Sequence, residues 1–378
     1  MTPARIAIAV FVALLAAGPL YLPPFYVTLV NYIGLYSLVA LGLVLLTGIA
    51  GLTSFGQAAF VGVGAYATAV ASVSFGLSPW LGLPVGLALT AAVAVILGGL
   101  TLRLSGHYLA LGTIAWGISL SYVFGNVEGL GGFNGISNIP PLPLFGAAIQ
   151  TAQDFYYLIW ACVLLALAAL VNLLNSRPGR AIRALRNAAM AESFGVNTAW
   201  LKLVVFVYAA LLAGLAGWLH AHYLRFVNPG PFGIGYSIEY LFMVVVGGAA
   251  HVWGAIVGAG LITALKTWLQ DILPKLFGSS GQFEVIVFGV LIILLLQHAG
   301  GGIMARVVRL FPPKRAAAIA PEAAPGLPRR APARSWASSA PTAPARARCS
   351  TSSPARCRWA AARCGFAANG STASPRAR

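Results

Sequence analysis

Charge is what this chain has least of. Only 8% of its 378 residues are charged, against 59% hydrophobic, and mean hydropathy is +0.84. A soluble domain carries about a quarter charged residues, so a soluble globular protein is excluded. Acids are scarcest, with seven Asp and Glu in the whole chain. They supply no paired carboxylates for acid–base work and no Ser/His/Asp order for nucleophilic catalysis. The four cysteines, Cys162, Cys349, Cys357 and Cys364, form no Cys-x-x-Cys pair, which excludes a disulfide framework or thiolate metal site. The five histidines are scattered at His107, His220, His222, His251 and His298. His220 and His222, two apart on a helix, do not share a face and make a poor metal pair. No enzyme, resident metal or cofactor is expected. The ten-residue alternation of an outer-membrane barrel is also missing.

What the chain has instead is apolar runs of membrane length. A bilayer core of ~30 Å needs about 20 apolar residues per helix. Runs occur at 6–21, 26–48, 56–75, 80–101, 107–124, 155–174, 202–223, 237–249, 252–270 and 285–304. The first, after Arg5, has the outline of a signal peptide but is read as a retained span, because more spans follow it. The pair within 237–270 is short, and a re-entrant hairpin is the alternative there. The expected fold is an all-α polytopic membrane protein of about ten transmembrane helices.

The net charge of +17 would ordinarily suggest nucleic acid, but its distribution argues otherwise. Residues 1–315 carry +8 and residues 316–378 carry +9. With a cytoplasmic N-terminus, ten crossings place Arg103, the loop 176–202 and the basic segment 306–315 inside, with the C-terminus. The Gly/Pro-rich loop 125–153, which has no Lys or Arg, falls outside, as does 271–284. That is the distribution the positive-inside rule requires. Lipid, not nucleic acid, is the expected surroundings.

Within the spans, ionisable residues are few. Glu239 is placed at a span edge, and Gln57 and Asn31 are neutral. A proton-driven carrier needs a buried carboxylate, and none is evident, so the driving energy is expected from elsewhere. Small residues crowd several spans: Gly62 and Gly64, Gly214 and Gly217, Gly254, Gly258 and Gly260. Such faces let helix backbones approach closely. Gln57, Gly62, Gly64, Tyr66, Gly254 and Gly258 are the candidates for helix packing or a translocation path. Residues 48–66 faintly echo 247–261, as in transporters built from repeated halves.

The loop Ser176–Lys202 stands apart. It holds Arg177, Arg180, Arg183, Arg186 and Lys202 against Glu192 alone. Pro178 and Gly179 are expected to break the sixth helix, with a new helix from Arg180. Ile182, Leu185 and Ala189 then share one side, Arg183 and Arg186 flank it, Gly195 stops it, and Asn197 or Thr198 caps the next span. This is a short amphipathic helix on the cytoplasmic surface, lying on anionic lipid or seated on a cytoplasmic partner.

Three ordered motifs carry a family resemblance: TGIAGLTSFGQAAFVGVGAYA near the start, GRAIRALRNAAMAESFGVNTAWLKLVVFVYAALLAGLAGWLHAHYLRFVNPGPFG in the middle, and SIEYLFMVVVGGAAHVWGAIVGA later. Over about residues 25–310 the chain resembles the M-type permease of high-affinity branched-chain amino acid ABC importers. The resemblance implies a permease domain, 1–310, in the inner (plasma) membrane, moving branched-chain amino acids. Its implied partners are a second, H-type permease, two ATPase subunits that bind the ATP, and a periplasmic binding protein. Arg180, Arg183, Arg186, Glu192 and Gly195 would belong to the coupling helix that contacts the ATPase. Asn187-Ala188 stands where family members often have an acidic pair. A urea, amide or other small-solute ABC permease is the alternative, and a stand-alone channel or secondary carrier the reading from another class.

The tail, 311–378, is rich in Ala, Pro and Arg and reads by composition as disordered. It also reads as something else. Ser339–Arg348, SAPTAPARAR, can be encoded so that a frame one base earlier gives IGPNGAGKST. That is the GxxxxGK[ST] loop whose amides cradle phosphate. The tail is thus also expected to be out-of-frame ABC ATPase coding sequence.

Overall fold

The computed structural model describes residues 21–277 except 105, 145, 146 and 150, together with residues 15, 18, 19, 289, 290, 297, 302 and 304. The chain separates into two units, 1–315 and 316–378, and everything described belongs to the first. The run at 6–21, nearly all of that at 285–304, the segment 306–315 and the tail lie outside the described residues.

The apolar runs become helices. α1 is Pro24–Leu43 and continues as a π-helical turn over Val44–Ile49. α2 is Gln57–Val73, α3 Pro79–Thr101 and α4 His107–Asn126. A small antiparallel hairpin follows, β1 Leu142–Leu144 and β2 Ala147–Ile149. α5 is Ala152–Asn175, α6 Arg177–Ala184 and α7 Ala188–Ser193. α8 is Thr198–Leu224, α9 Ile234–Gly247 and α10 Val252–Phe277. Among the described residues, six helices are long and apolar enough to cross a membrane: α1, α3, α4, α5, α8 and α10. This is an all-α polytopic membrane protein.

α2 occupies the middle. It is buried on nearly every side, and glycines set how closely its neighbours approach. A Cβ on Gly64 would overlap the backbone of Gly214 in α8, and one on Gly217 would overlap that of Val61. Bulk is supplied around these contacts by rings. Phe60 lies 4.9 Å from Trp116 and 5.5 Å from Phe206, and Tyr66 stacks on Phe124 at 4.8 Å. Lipid provides little drive for helices to associate, so close backbone contact and dispersion hold such a bundle.

The two ends of the bundle differ. At one end lie the hairpin and its loop. Trp80 Nε1 donates to Pro143 O at 2.7 Å, Arg225 Nε to Ile139 O at 3.2 Å, and Ile136 pairs with Val227. At the other end lie α6, α7 and the turn between α9 and α10, where Gly48 abuts the carbonyl of Ala249. The loop 125–153 was expected to be irregular. Its hairpin forms because Leu142 and Ile149 point one apolar pair into the core, where both are buried.

α2 and α9 are 17 and 14 residues long, which at about 1.5 Å per residue is less than the ~30 Å hydrocarbon core. α2 begins inside the protein, and the first turns of the two meet: Ala58 N–H donates to Ser237 Oγ at 3.1 Å in a buried contact. The non-helical stretch before α2 is tolerable at depth because protein encloses it. Phe55 N–H, for example, donates to Thr113 Oγ1 at 3.1 Å.

Candidate coupling segment and translocation core

The segment between α5 and α8 is built from caps. α5 ends at Asn175 and Ser176 caps α6, its Oγ accepting from Gly179 N–H at 3.4 Å. The helix break therefore falls at Ser176. Pro178 and Gly179, expected to be the breakers, sit in the first turn of α6, where proline's missing N–H costs nothing. α6 passes through a 3₁₀ turn at Leu185–Asn187, and Asn187 Oδ1 then caps α7 at Met190 N–H. Asn187 thus has a structural use of its own at the position where the family often carries an acid.

The end of α7 is a Schellman motif. Gly195 has φ +78°, its N–H donates to Glu192 O, and Val196 N–H donates to Ala191 O, the 5→2 and 6→1 bonds of that motif. Asn197 Oδ1 caps α8 at Trp200 N–H, 3.1 Å away, and Thr198 Oγ1 donates to Glu192 Oε1. Glu192 is thereby committed to fixing the entry into α8.

Ile182 and Leu185 are buried, as the apolar stripe requires, but Ala189 is exposed and Ala191 takes its place. Asn187 leaves helical geometry, with φ −122° and ψ 76°, so α7 starts in a new phase and the stripe resumes two residues later. Arg186 Nη2 donates to Gly48 O at 2.6 Å, tying the segment to the π-helical end of α1. Arg183 and Arg186 line a cavity of about 510 Å³ with His251. Arg180 is exposed, as are three large apolar side chains that the sequence reading passed over, Met190, Phe194 and Trp200; Phe194 is 76% exposed. Their signal was size: bulky apolar residues inside an otherwise polar loop.

The core candidates fall into two groups. Gly62 meets the rings of Phe124 and Phe232, Gly64 meets α8, and Gly254 and Gly258 in α10 meet the backbone of α9 at Gly247, Gly248 and Met243. All four sit at helix contacts that a Cβ would disturb. Gln57 and Tyr66 are different. Both are buried, and neither Gln57 side-chain atom nor the Tyr66 hydroxyl has a hydrogen-bond partner among the described residues. Tyr66 and Phe124 also line an apolar cavity of about 540 Å³ between α2, α3 and α4, with Val63, Val70, Val85 and Leu89.

Glu239 is not an edge residue. It lies within α9, 9% exposed, and Lys266 of α10 reaches both of its carboxylate oxygens at 3.0 and 3.2 Å. The span therefore does hold a buried carboxylate. It went unrecognised because its partner sits 27 residues away, on a helix whose apolar run absorbed Lys266. The echo between 48–66 and 247–261 has a structural counterpart. In each, one helix ends, a short link follows and a new helix starts, at Gln57 and Val252 respectively.

Residues 25–296 match the family described as branched-chain amino acid transport system / permease component. The chain belongs to this family. Among members of the branched-chain permease family, the high-affinity branched-chain amino acid transport system permease protein LivM of Escherichia coli is 31% identical over 295 residues, covering 71% of this chain and 68% of LivM. LivH of the same organism is 28% identical over 286 residues, 70% of this chain and 90% of LivH. The ribose import permease RbsC of E. coli is 32% identical over 143 residues, 36% of this chain and 43% of RbsC. No solved structure matches. Membership in the branched-chain permease family fits a multi-pass membrane protein of transport.

Proposed function

We infer that this chain is the M-type permease subunit of an ATP-binding cassette importer that moves branched-chain amino acids across the inner membrane. The observation that carries the reading is the family match over 25–296, together with likeness to both LivM and LivH. Two kinds of permease in one family favour a heterodimeric pore with an H-type partner. ATP is bound and hydrolysed by two separate ATPase subunits, and a periplasmic binding protein delivers the substrate. The chain itself takes no cofactor.

In this reading the chain crosses the membrane ten times with both termini cytoplasmic. The end that carries α6, α7 and the α9–α10 turn is the cytoplasmic one, in line with its arginines. α6 to Gly195 is the coupling helix. Arg180 meets the ATPase, with Met190 and Phe194 as its apolar anchors, Arg183 lies on the same basic rim, and Arg186, Glu192 and Gly195 hold its shape. Gln57 and Tyr66 border the translocation path, and Gly62, Gly64, Gly254 and Gly258 keep the surrounding helices close. The tail 311–378 is a separate region that derives from ATPase coding sequence read out of frame.

The test is uptake of labelled leucine, isoleucine and valine into vesicles holding this chain with its partner permease, ATPases and binding protein. ATP-dependent uptake is expected. Uptake without ATP would move the chain into the channel or carrier class. The partial likeness to a ribose permease favours, as second reading, another small solute. Failure of excess leucine to compete with uptake of a urea, amide or sugar substrate would establish it.

A further inference from the structure

The cavity at the coupling end has a composition of its own. It encloses about 510 Å³, inside the ~300–1,000 Å³ range of small-molecule sites. One wall is basic: Arg183, Arg186 and His251. The other is apolar, with Val171 and Leu174 from the end of α5 and Val252 from the start of α10. Among the described residues, no acidic side chain lines it. Arg183 makes no hydrogen bond or ion pair with another described residue, and Arg186 commits one donor to Gly48 O. A guanidinium carries five N–H donors, so most of this donor capacity is unspent, on two exposed side chains at the cavity's edge.

The two guanidinium charges brought together on one wall repel one another, and an anion relieves that repulsion. The position decides which anion. The cavity lies at the ends of three membrane-length helices, α1, α5 and α10, beside the exposed Val171. A ligand that fits must place a phosphate against the arginines and hydrocarbon along α5. Basic pockets between helices at a membrane surface hold anionic headgroups in this way, and a phosphodiester suits the planar fork of arginine.

We propose that this cavity is a binding site for one anionic glycerophospholipid, its phosphate on Arg183, Arg186 and His251 and its acyl chains along Val171 and Leu174. The site is separate from the exposed face at Arg180, Met190 and Phe194, and it stands whether or not that face docks an ATPase.

The experiment uses the full chain, purified in detergent and stripped of lipid. Phosphatidylglycerol, phosphatidylcholine and inorganic phosphate are titrated, and bound species are counted by native mass spectrometry. The wild-type chain is expected to retain one phosphatidylglycerol with about tenfold preference over phosphatidylcholine. Arg183→Gln with His251→Gln should erase that preference, while Arg177→Gln, outside the cavity on the same segment, should keep it. If the double variant is not recovered, Arg183→Gln alone must weaken the preference about fivefold. Equal retention of the two lipids, an unchanged preference in the variants, or an equal loss in Arg177→Gln would overturn the site. Displacement of the lipid by inorganic phosphate at matched concentration would overturn its lipid character.

Discussion

Lys266 and Glu239 form a two-oxygen ion pair between α10 and α9, with the ammonium also 5.3 Å from the centre of the Tyr236 ring. Each charge is tolerable only because of the other. An ionised side chain alone within a span costs about 2.5–3.5 kcal/mol. Lys266→Met should therefore lower unfolding stability in detergent by about 2–3 kcal/mol, and Glu239→Gln similarly. The double variant should recover at least about half of that loss, because no orphan charge remains. Additive losses in the double variant would show that the two residues act independently.

Glycine placement predicts opposite signs for one kind of substitution. A Cβ on Gly64 would enter the backbone of Gly214, whereas Gly99 in α3 has nothing within 4 Å of its Cβ position. Gly64→Ala should destabilise by about 1–3 kcal/mol through forced separation of α2 and α8. Gly99→Ala should stabilise by about 0.5–1 kcal/mol through helix propensity. Thermal melts of the two variants beside wild type check both signs.

The exposed face of the coupling segment gives a prediction for assembly. Arg180→Glu with Phe194→Ala should leave membrane insertion unchanged, because both side chains are exposed. It should reduce co-purification of the ATPase at least about tenfold, as expected on losing a charged contact and an aromatic anchor. Retained co-purification would remove α6 and α7 from the docking surface.

The tail is tested at the level of DNA. Codons for Ser339–Arg348 should give a P-loop in the frame one base earlier, with ATPase sequence continuing after it. A chain ending at Arg315 should insert, assemble and transport as the full chain does. Codons that give no P-loop, or loss of assembly on truncation, would make the tail a functional extension.

Much of the fold was legible because hydropathy and helix ends are local. The runs at 26–48, 80–101 and 107–124 became α1, α3 and α4 within about two residues, inside the usual boundary scatter. Gly195 and Asn197 were readable as stop and cap because each acts on backbone within three residues. What escaped was nonlocal or hidden in hydrophobic context. Lys266 was submerged in an apolar run, and its role depends on α9. The hairpin at 142–149 depends on burial of Leu142 and Ile149 by other helices. The break at Leu185–Asn187 displaced the apolar stripe from Ala189 to Ala191, since Asn187 prefers capping a new helix to continuing the old one. Arg183 and Arg186 were read as flanking the apolar stripe, and both are exposed. Only the packing of α6 against the ends of α1 and α10 reveals that they line a cavity.

The bond from Arg186 to Gly48 gives the α6–α7 segment a second anchor. Chain connectivity alone would pass a load on this segment to α5 and α8. The guanidinium adds a lateral strut to α1, and Gly48 rests in turn on the link joining α9 and α10. A small tilt of the segment therefore bears on five helices at once, three of which the chain does not join directly to it.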